Sequence, residues 1–267
     1  MSEKGSGKTL LKPEGIKIIV FTDLDGSLLN DNYEYDKLEP IINQLLSLNV
    51  SIVFASSKTR NEIDFYRNKW HITDPFIIEN GSAILIPENY FGIHYEFTRH
   101  EQGYNIIELG TVYSIIRKKL DIVTNCKGVH IIGFGDMTAE DIAKDSGLPL
   151  YFAQLAKKRE YSEPFKILDG SETEILDAIS VEGLCYIQGG RYLHALGKCD
   201  KGKATSILEN LYVQQFKRIF SIGVGNSAND LTMLKIVDKP FFVNKTADKK
   251  ALWKEIEQLT RFQSKRL

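Results

Sequence analysis

The stretch from Lys17 to Leu29, KIIVFTDLDGSLL, constrains the fold of this chain more than any other. Ile18, Ile19, Val20 and Phe21 form an unbroken β-branched and aromatic run with no helical period, the pattern of a strand buried on both faces of a parallel sheet. The run stops at Asp23-Leu24-Asp25-Gly26, so two carboxylates sit where an apolar strand ends. Ligands of open α/β sheets bind beyond the carboxyl ends of the strands, which makes Asp23 and Asp25 candidates for chemistry. Asp-Gly after a strand is also an ordinary turn signal, so the remaining sequence has to choose between the two readings.

The chain has 267 residues, 43% of them hydrophobic, enough for one large core or two modest ones. Lys and Arg number 34 against 35 Asp and Glu, a net charge of -1, which leaves no electrostatic footprint for nucleic acid or an anionic membrane. Cys126, Cys185 and Cys199 are odd in number and include no CxxC pair, which argues against disulfide or zinc frameworks and fits a reducing cytosol. No apolar run approaches membrane-spanning length, and the polar start lacks the apolar centre of a signal peptide, so the expected location is cytoplasmic. Gly5-Ser6-Gly7-Lys8-Thr9 invites a P-loop reading. No strand precedes it and Ser2 stands where the first glycine is required, so 1–14 reads as a flexible extension.

Strand and helix patterns alternate after the first strand. Asp36 to Leu48 has helical spacing with an Asp36/Glu39 capping box. Val50 to Ala55 is a strand ending in Ser56-Ser57-Lys58-Thr59, and Arg60 to Trp70 a helix with Thr59 as N-cap and Glu62 as its capping partner. Pro75 to Ile78 is the next strand. This alternation predicts a parallel, doubly wound α/β sheet. From Ile86 the pattern changes to an aromatic cluster, a helix over Ile106 to Leu120, a strand over Val129 to Phe134, and a helix opened by Thr138. A helix near Gln154, a strand over Phe165 to Leu168, a helix over Glu172 to Val181 and a hairpin over 184–196 complete the segment. The reading is a Rossmann-like core, 15–85 and 197–267, interrupted by an α+β insertion at 86–196 that is itself the size of a small domain.

Three core strands end in polar clusters: Asp23/Asp25, Ser56/Ser57 and Asn226/Asn229/Asp230. Between them, Lys201 and Lys203 open a helix running to Leu211, and a helix N-terminus with lysines and serine hydroxyls supplies what phosphoryl oxygens need. Taken in order, DLDG, Ser56, Lys201 and GNSAND resemble the four-signature series of the haloacid dehalogenase-like phosphatases across the whole chain. Ser56-Ser57-Lys58-Thr59, Glu79-Asn80-Gly81, Arg159 to Phe165, Gly190-Arg191 and Gly225 to Leu231 further resemble the mannosyl-3-phosphoglycerate phosphatase family.

The resemblance implies covalent chemistry, with Asp23 attacking phosphorus and Asp25 protonating the leaving alkoxide and then activating water. It assigns Ser56 and Lys201 to the phosphoryl oxygens, and Mg²⁺ to Asp23, the carbonyl of Asp25, Asn226 and Asp230. It gives the insertion the role of a cap, with Lys58, Arg159, Glu163 and Arg191 meeting a phosphorylated sugar-glycerate. Asn226 departs from the family, which usually has Asp there. At ~4 Å and an effective dielectric of ~20 the missing charge is worth about 8 kcal/mol gross against a divalent ion, mostly offset by carboxylate desolvation. Asp230 is expected to supply the remaining charge. The resemblance also leaves open another sugar-phosphate phosphatase or a phosphomannomutase-like phosphotransferase, and Asn226 a catalytically impaired sugar-phosphate-binding protein. The five histidines show no ligand spacing and read as structural or exposed.

Overall fold

The computed structural model describes residues 15–29, 38–127, 129–244 and 248–264. The extension at 1–14 and the capping residue Asp36 lie outside the described residues. β1 (Lys17–Thr22) is the centre of a parallel sheet ordered β12-β11-β1-β2, with β2 at Ser51–Phe54, β11 at Ile219–Gly225 and β12 at Lys239–Phe242. Alternation along β1 sends Ile18 and Val20 into one apolar cluster with Ile42 and Leu45 of α1 (Glu39–Ser47) and Trp253 and Ile256 of α9 (Lys249–Ser264). Ile19 and Phe21 enter a second cluster with Leu208 and Tyr212 of α7 (Lys201–Phe216) and Met233 of α8 (Leu231–Leu234). Both faces of the strand are covered, which is why its sequence is apolar without interruption.

α2 (Arg60–Lys69) opens with the expected capping box: Thr59 accepts from the Glu62 backbone N–H, and the Glu62 carboxylate accepts from the Thr59 N–H. β3 (Phe76–Ile78) departs from the parallel pattern. A single parallel bridge, Ala55 to Ile77, joins it to β2, and it pairs antiparallel in a second sheet ordered β3-β4-β6-β5. In that sheet β4 spans Ala83–Pro87, β5 Arg99–Glu101 and β6 Tyr104–Glu108.

Part of the helix expected over Ile106 to Leu120 is therefore strand β6, and α3 occupies Tyr113–Lys127. Ile106 and Ile107 are consecutive and face opposite clusters, so their apolar run mimics neither a helix nor an alternating strand. The aromatic stretch after Ile86 packs with the core: Phe91 joins the cluster of Ile19 and Phe21, and the Tyr90 hydroxyl donates to Asp74 Oδ1 at 2.6 Å.

A third, wholly antiparallel sheet is ordered β7-β8-β10-β9: β7 His130–Gly133, β8 Ser162–Asp169, β9 Cys185–Gln188 and β10 Leu193–Leu196. Ile131 points to α3 and α6 (Glu172–Val181), while Ile132 points to the cluster of α4 (Ala139–Ser146) and α5 (Leu150–Ala156). The two segments leading to and from this unit touch, since a Cβ on Gly197 would lie 2.5 Å from the Thr111 nitrogen. α5 reaches back to α2, where Phe152 stacks on Tyr66 with ring centroids 5.9 Å apart. Among the described residues no helix is long and apolar enough to cross a membrane, and Cys185 and Cys199 are free.

Candidate active site

Parallel pairing of β11, β1 and β2 brings the carboxyl ends of the three strands to one edge. Asp23 is one residue past β1, Ser56 two past β2 and Asn226 one past β11, so three sequence signatures meet. The turn after Asp23 is tight. Gly26 has φ +79°, and a Cβ there would lie 1.9 Å from the Asn226 amide nitrogen, so only glycine lets the two loops approach.

Lys201 is the first residue of α7, whose N-cap Asp200 accepts from the Lys203 N–H at 3.0 Å. Its ammonium, 1% exposed, lies 2.8 Å from Asp23 Oδ1 and 2.6 Å from Asp230 Oδ1. The other oxygen of Asp230 accepts from the N–H groups of Asn226 and Ser227 and from the Ser227 hydroxyl, each at 2.9 Å. Asp230 thus has both oxygens occupied and anchors Lys201 and the 226–227 turn. Burial pushes Asp230 up, but Lys201 and these donors outweigh it and hold its carboxyl below the ordinary range. Burial likewise opposes the charge on Lys201, yet its two carboxylates keep it up.

Asp23 balances the other way. Burial raises it, the charges of Asp230 and Asp25 add to that, and Lys201 offsets only part, so its pKa rises from 3.8 to about 7. The floor of the site is short of positive charge at Asp23. Among the described residues no three His, Cys, Asp or Glu side chains gather in a way that could hold a metal ion. The Asn226 side chain instead brings an amide oxygen to the turn that follows Asp23, where it accepts from the Ser27 hydroxyl at 3.4 Å. That amide oxygen, together with the Asp23 carboxylate whose charge Lys201 only partly offsets, is the type of oxygen donor a hard divalent cation takes.

Asp25 sits higher in the site, its side chain 45% exposed and its Oδ2 2.9 Å from Lys58 Nζ. Ser56 is fully buried, and its hydroxyl accepts from the Lys58 N–H at 3.4 Å. The four residues expected to meet substrate are not gathered in one place. Lys58 is at Asp25. Arg159 donates to the carbonyls of Ser57 at 2.7 Å and Ala156 at 2.9 Å, with Glu62 3.9 Å away, so its guanidinium bridges the third-sheet unit to the β2–α2 loop. Glu163 is inside that unit, accepting from Arg117 at 2.9 Å and from the Gly135 N–H at 2.8 Å. Arg191 is exposed at the β9–β10 hairpin and donates to the carbonyls of Asp145 and Ser146 at the end of α4.

Sequence reasoning gave no role to Glu79 and Asn80, which occupy a turn with positive φ at Glu79, Asn80 and Gly81. Glu79 is fully buried and accepts from the N–H groups of Glu160 and Tyr161 and from the Ser162 hydroxyl. Asn80 donates its N–H to the Ser56 carbonyl and accepts from Asn229 at 2.9 Å, so one turn ties the second and fourth signatures together. A signal was present in Asn80-Gly81, residues that tolerate the left-handed region, whereas Glu79 is held there against its own preference. His194 is buried beside Arg159, and burial with that charge pushes it down to about 3, which keeps it neutral.

A family profile for haloacid dehalogenase-like hydrolases matches residues 20–252, a span holding every signature above. The chain belongs to the haloacid dehalogenase-like hydrolases. Its relatives include a protein of Methanococcoides burtonii named glucosyl-3-phosphoglycerate/mannosyl-3-phosphoglycerate phosphatase, 42% identical over 86% of this chain and 86% of that one. Another, from Pyrococcus horikoshii, is named mannosyl-3-phosphoglycerate phosphatase and is 38% identical over 87% of this chain and 93% of its own. A solved structure from Thermoplasma acidophilum shares the fold, with TM-score 0.61, 17% identity, and 93% and 98% of the two chains covered. This hydrolase is a phosphoric monoester hydrolase, in keeping with those relatives and with the α/β fold of a parallel sheet plus additional sheets.

Proposed function

We propose that the protein is a Mg²⁺-dependent phosphatase that hydrolyses mannosyl-3-phosphoglycerate, and its glucosyl counterpart, to the glycosylglycerate and phosphate. The observation carrying this reading is the Asp23–Lys201–Asp230 triangle at the carboxyl edge of the parallel sheet, in a chain whose relatives of 42% and 38% identity bear that substrate in their names. Asp23 attacks phosphorus to give an aspartyl-phosphate, which splits the hydrolysis into two displacements. Asp25 gives a proton to the leaving alkoxide and takes one from the water that cleaves the aspartyl-phosphate. Lys201 faces the developing charge on the phosphoryl oxygens, with the Ser56 hydroxyl at the neighbouring strand end. Mg²⁺ would be held by the Asp23 carboxylate, the Asp25 carbonyl and the Asn226 amide oxygen, and supplies the charge that lets one anion approach another. Asp230 serves through its grip on Lys201 and the 226–227 turn.

The unit spanning 111–196 acts as the cap. Its docking through Arg159 and the buried Glu79 supports this division, as does the packing of Ile86 and Phe91 with the core cluster. The test is phosphate release from mannosyl-3-phosphoglycerate, glucosyl-3-phosphoglycerate, mannose 6-phosphate and sucrose 6-phosphate with and without Mg²⁺. Metal-dependent release led by either glycosyl-3-phosphoglycerate is expected. Binding of those compounds without release, reversed by Asn226→Asp, would make the protein a sugar-phosphate binder.

A further inference from the structure

A buried row of alternating charges leads from Asp25 into the cap, and the reaction steps above leave its two middle members, Lys58 and Glu62, unused. Lys58 Nζ lies 2.9 Å from Asp25 Oδ2 and 3.6 Å from Glu62 Oε1, and Glu62 Oε2 lies 3.9 Å from an Arg159 nitrogen. Side-chain exposure is 7% for Lys58, 3% for Glu62 and 5% for Arg159, against 45% for Asp25 at the open end. Lys58 and Glu62 belong to the β2–α2 loop and α2, whereas Arg159 arrives from the chain between α5 and β8. The row therefore crosses from the core into the cap.

Glu62 is fixed twice over. Its Oε2 also accepts from the Thr59 N–H at 2.9 Å and the Thr59 hydroxyl at 3.0 Å, while the Thr59 hydroxyl lies 3.1 Å from the Leu155 carbonyl of α5. A lysine ammonium on its four-carbon stem has many rotamers available, and a fixed carboxylate on the far side of it selects the few that face Asp25. With so little solvent nearby, that selection is not screened away.

We propose that Glu62 is a positioning residue for proton transfer: it pins Lys58 against Asp25, and Arg159 ties that pin to the docked cap. Asp25 then points at the leaving oxygen only when 157–162 is seated on the core. The inference rests on Asp25 being the proton donor, and its effect is readable without any sugar substrate.

Glu62→Gln separates positioning from folding. A glutamine oxygen still accepts from Thr59, so the helix cap persists, while the charge facing Lys58 and Arg159 is lost. Steady-state kinetics on substituted phenyl phosphates of graded leaving-group basicity provide the readout, because help from a proton donor grows as the leaving group becomes more basic. Read as kcat/KM, which excludes the later hydrolysis of the aspartyl-phosphate common to every substrate, Glu62→Gln is expected to cost less than about threefold for 4-nitrophenyl phosphate and about 30-fold or more for the most basic leaving group. Glu62→Asp should recover much of the loss. Lys58→Met should reproduce the pattern, and adding Glu62→Gln to it should cost nothing further.

Equal loss along the whole series, or additive losses in the double variant, would overturn the proposal, since a general structural defect slows every substrate alike. Failure of the underlying reading has a different signature. An unaltered protein that cleaves the aryl series but no glycosyl-3-phosphoglycerate contradicts the substrate assignment alone, and Glu62 is then judged on the slope. One that cleaves no phosphomonoester at all contradicts both.

Discussion

The floor and the wall of the site use the same residue types to opposite ends. On the floor, Asp23 and Asp230 share one lysine, and Asp23 is left with burial and repulsion that Lys201 does not cancel. Along the wall, Asp25, Lys58, Glu62 and Arg159 alternate in sign, so each buried charge has an opposite neighbour. An arrangement short of positive charge is ready for a cation, and while that cation is absent it lowers stability. A balanced row holds geometry.

The largest effect that can break this comparison lies at Asp23. Asp23→Asn should reduce turnover on the order of 10⁴-fold or more, yet raise the thermal midpoint of the metal-free protein at pH 8. The sign follows from its raised pKa. The folded state binds the Asp23 proton more tightly than the unfolded chain, so the contribution of this group to stability is fullest below pH 4, falls as pH rises toward about 7, and its deficit is complete above that. Thermal melts of both proteins at pH 5 and pH 8 should show the gap widening with pH. A variant less stable than the parent at pH 8 would contradict a charge-deficient floor.

Next comes Lys201→Met, which leaves two buried carboxylates facing each other. It should destabilise by about 3–5 kcal/mol in urea titrations, the cost of breaking a buried pair from one side. A loss no larger than that of an exposed lysine would mean that the triangle contributes little. Asn226→Asp should act in two directions, tightening Mg²⁺ by about tenfold or more in calorimetric titrations and lowering metal-free stability by adding charge beside Asp23. The smallest effect belongs to Arg191→Ala, whose guanidinium caps the end of α4 in solvent. Turnover of every substrate should change less than about threefold, since exposed polar contacts of this kind contribute little. A loss confined to the glycosyl-3-phosphoglycerates would return Arg191 to the substrate.

Much of the floor was legible in the sequence. A fully apolar strand ending in two aspartates fits a parallel sheet covered on both faces, and the remaining signatures fall at neighbouring strand ends because parallel strands share one carboxyl edge. Thr59/Glu62 and Thr138 were readable as caps for the local reason that side chain and backbone lie within one turn. The wall was harder to read. Arg159 and Glu62 are distant in sequence, and nothing local says that a cap arginine will donate to the Ser57 carbonyl. Glu79 looked like part of a turn, and its three bonds to 160–162 exist only once the cap is seated. β6 was missed because Ile106 is buried on one face and Ile107 half-buried on the other, which erases the alternation that marks a strand.

In the proposed reaction Asp23 is the atom donor to phosphorus, and trapping the phosphorylated enzyme tests this most directly. Asp25→Asn incubated with 4-nitrophenyl phosphate and Mg²⁺, then quenched in acid and digested, should yield a peptide containing Asp23 that is heavier by one phosphoryl group and loses it to hydroxylamine. Release of phosphate by the unaltered protein with no phosphoryl group ever found on that peptide would contradict the account, and would point to direct attack by water instead.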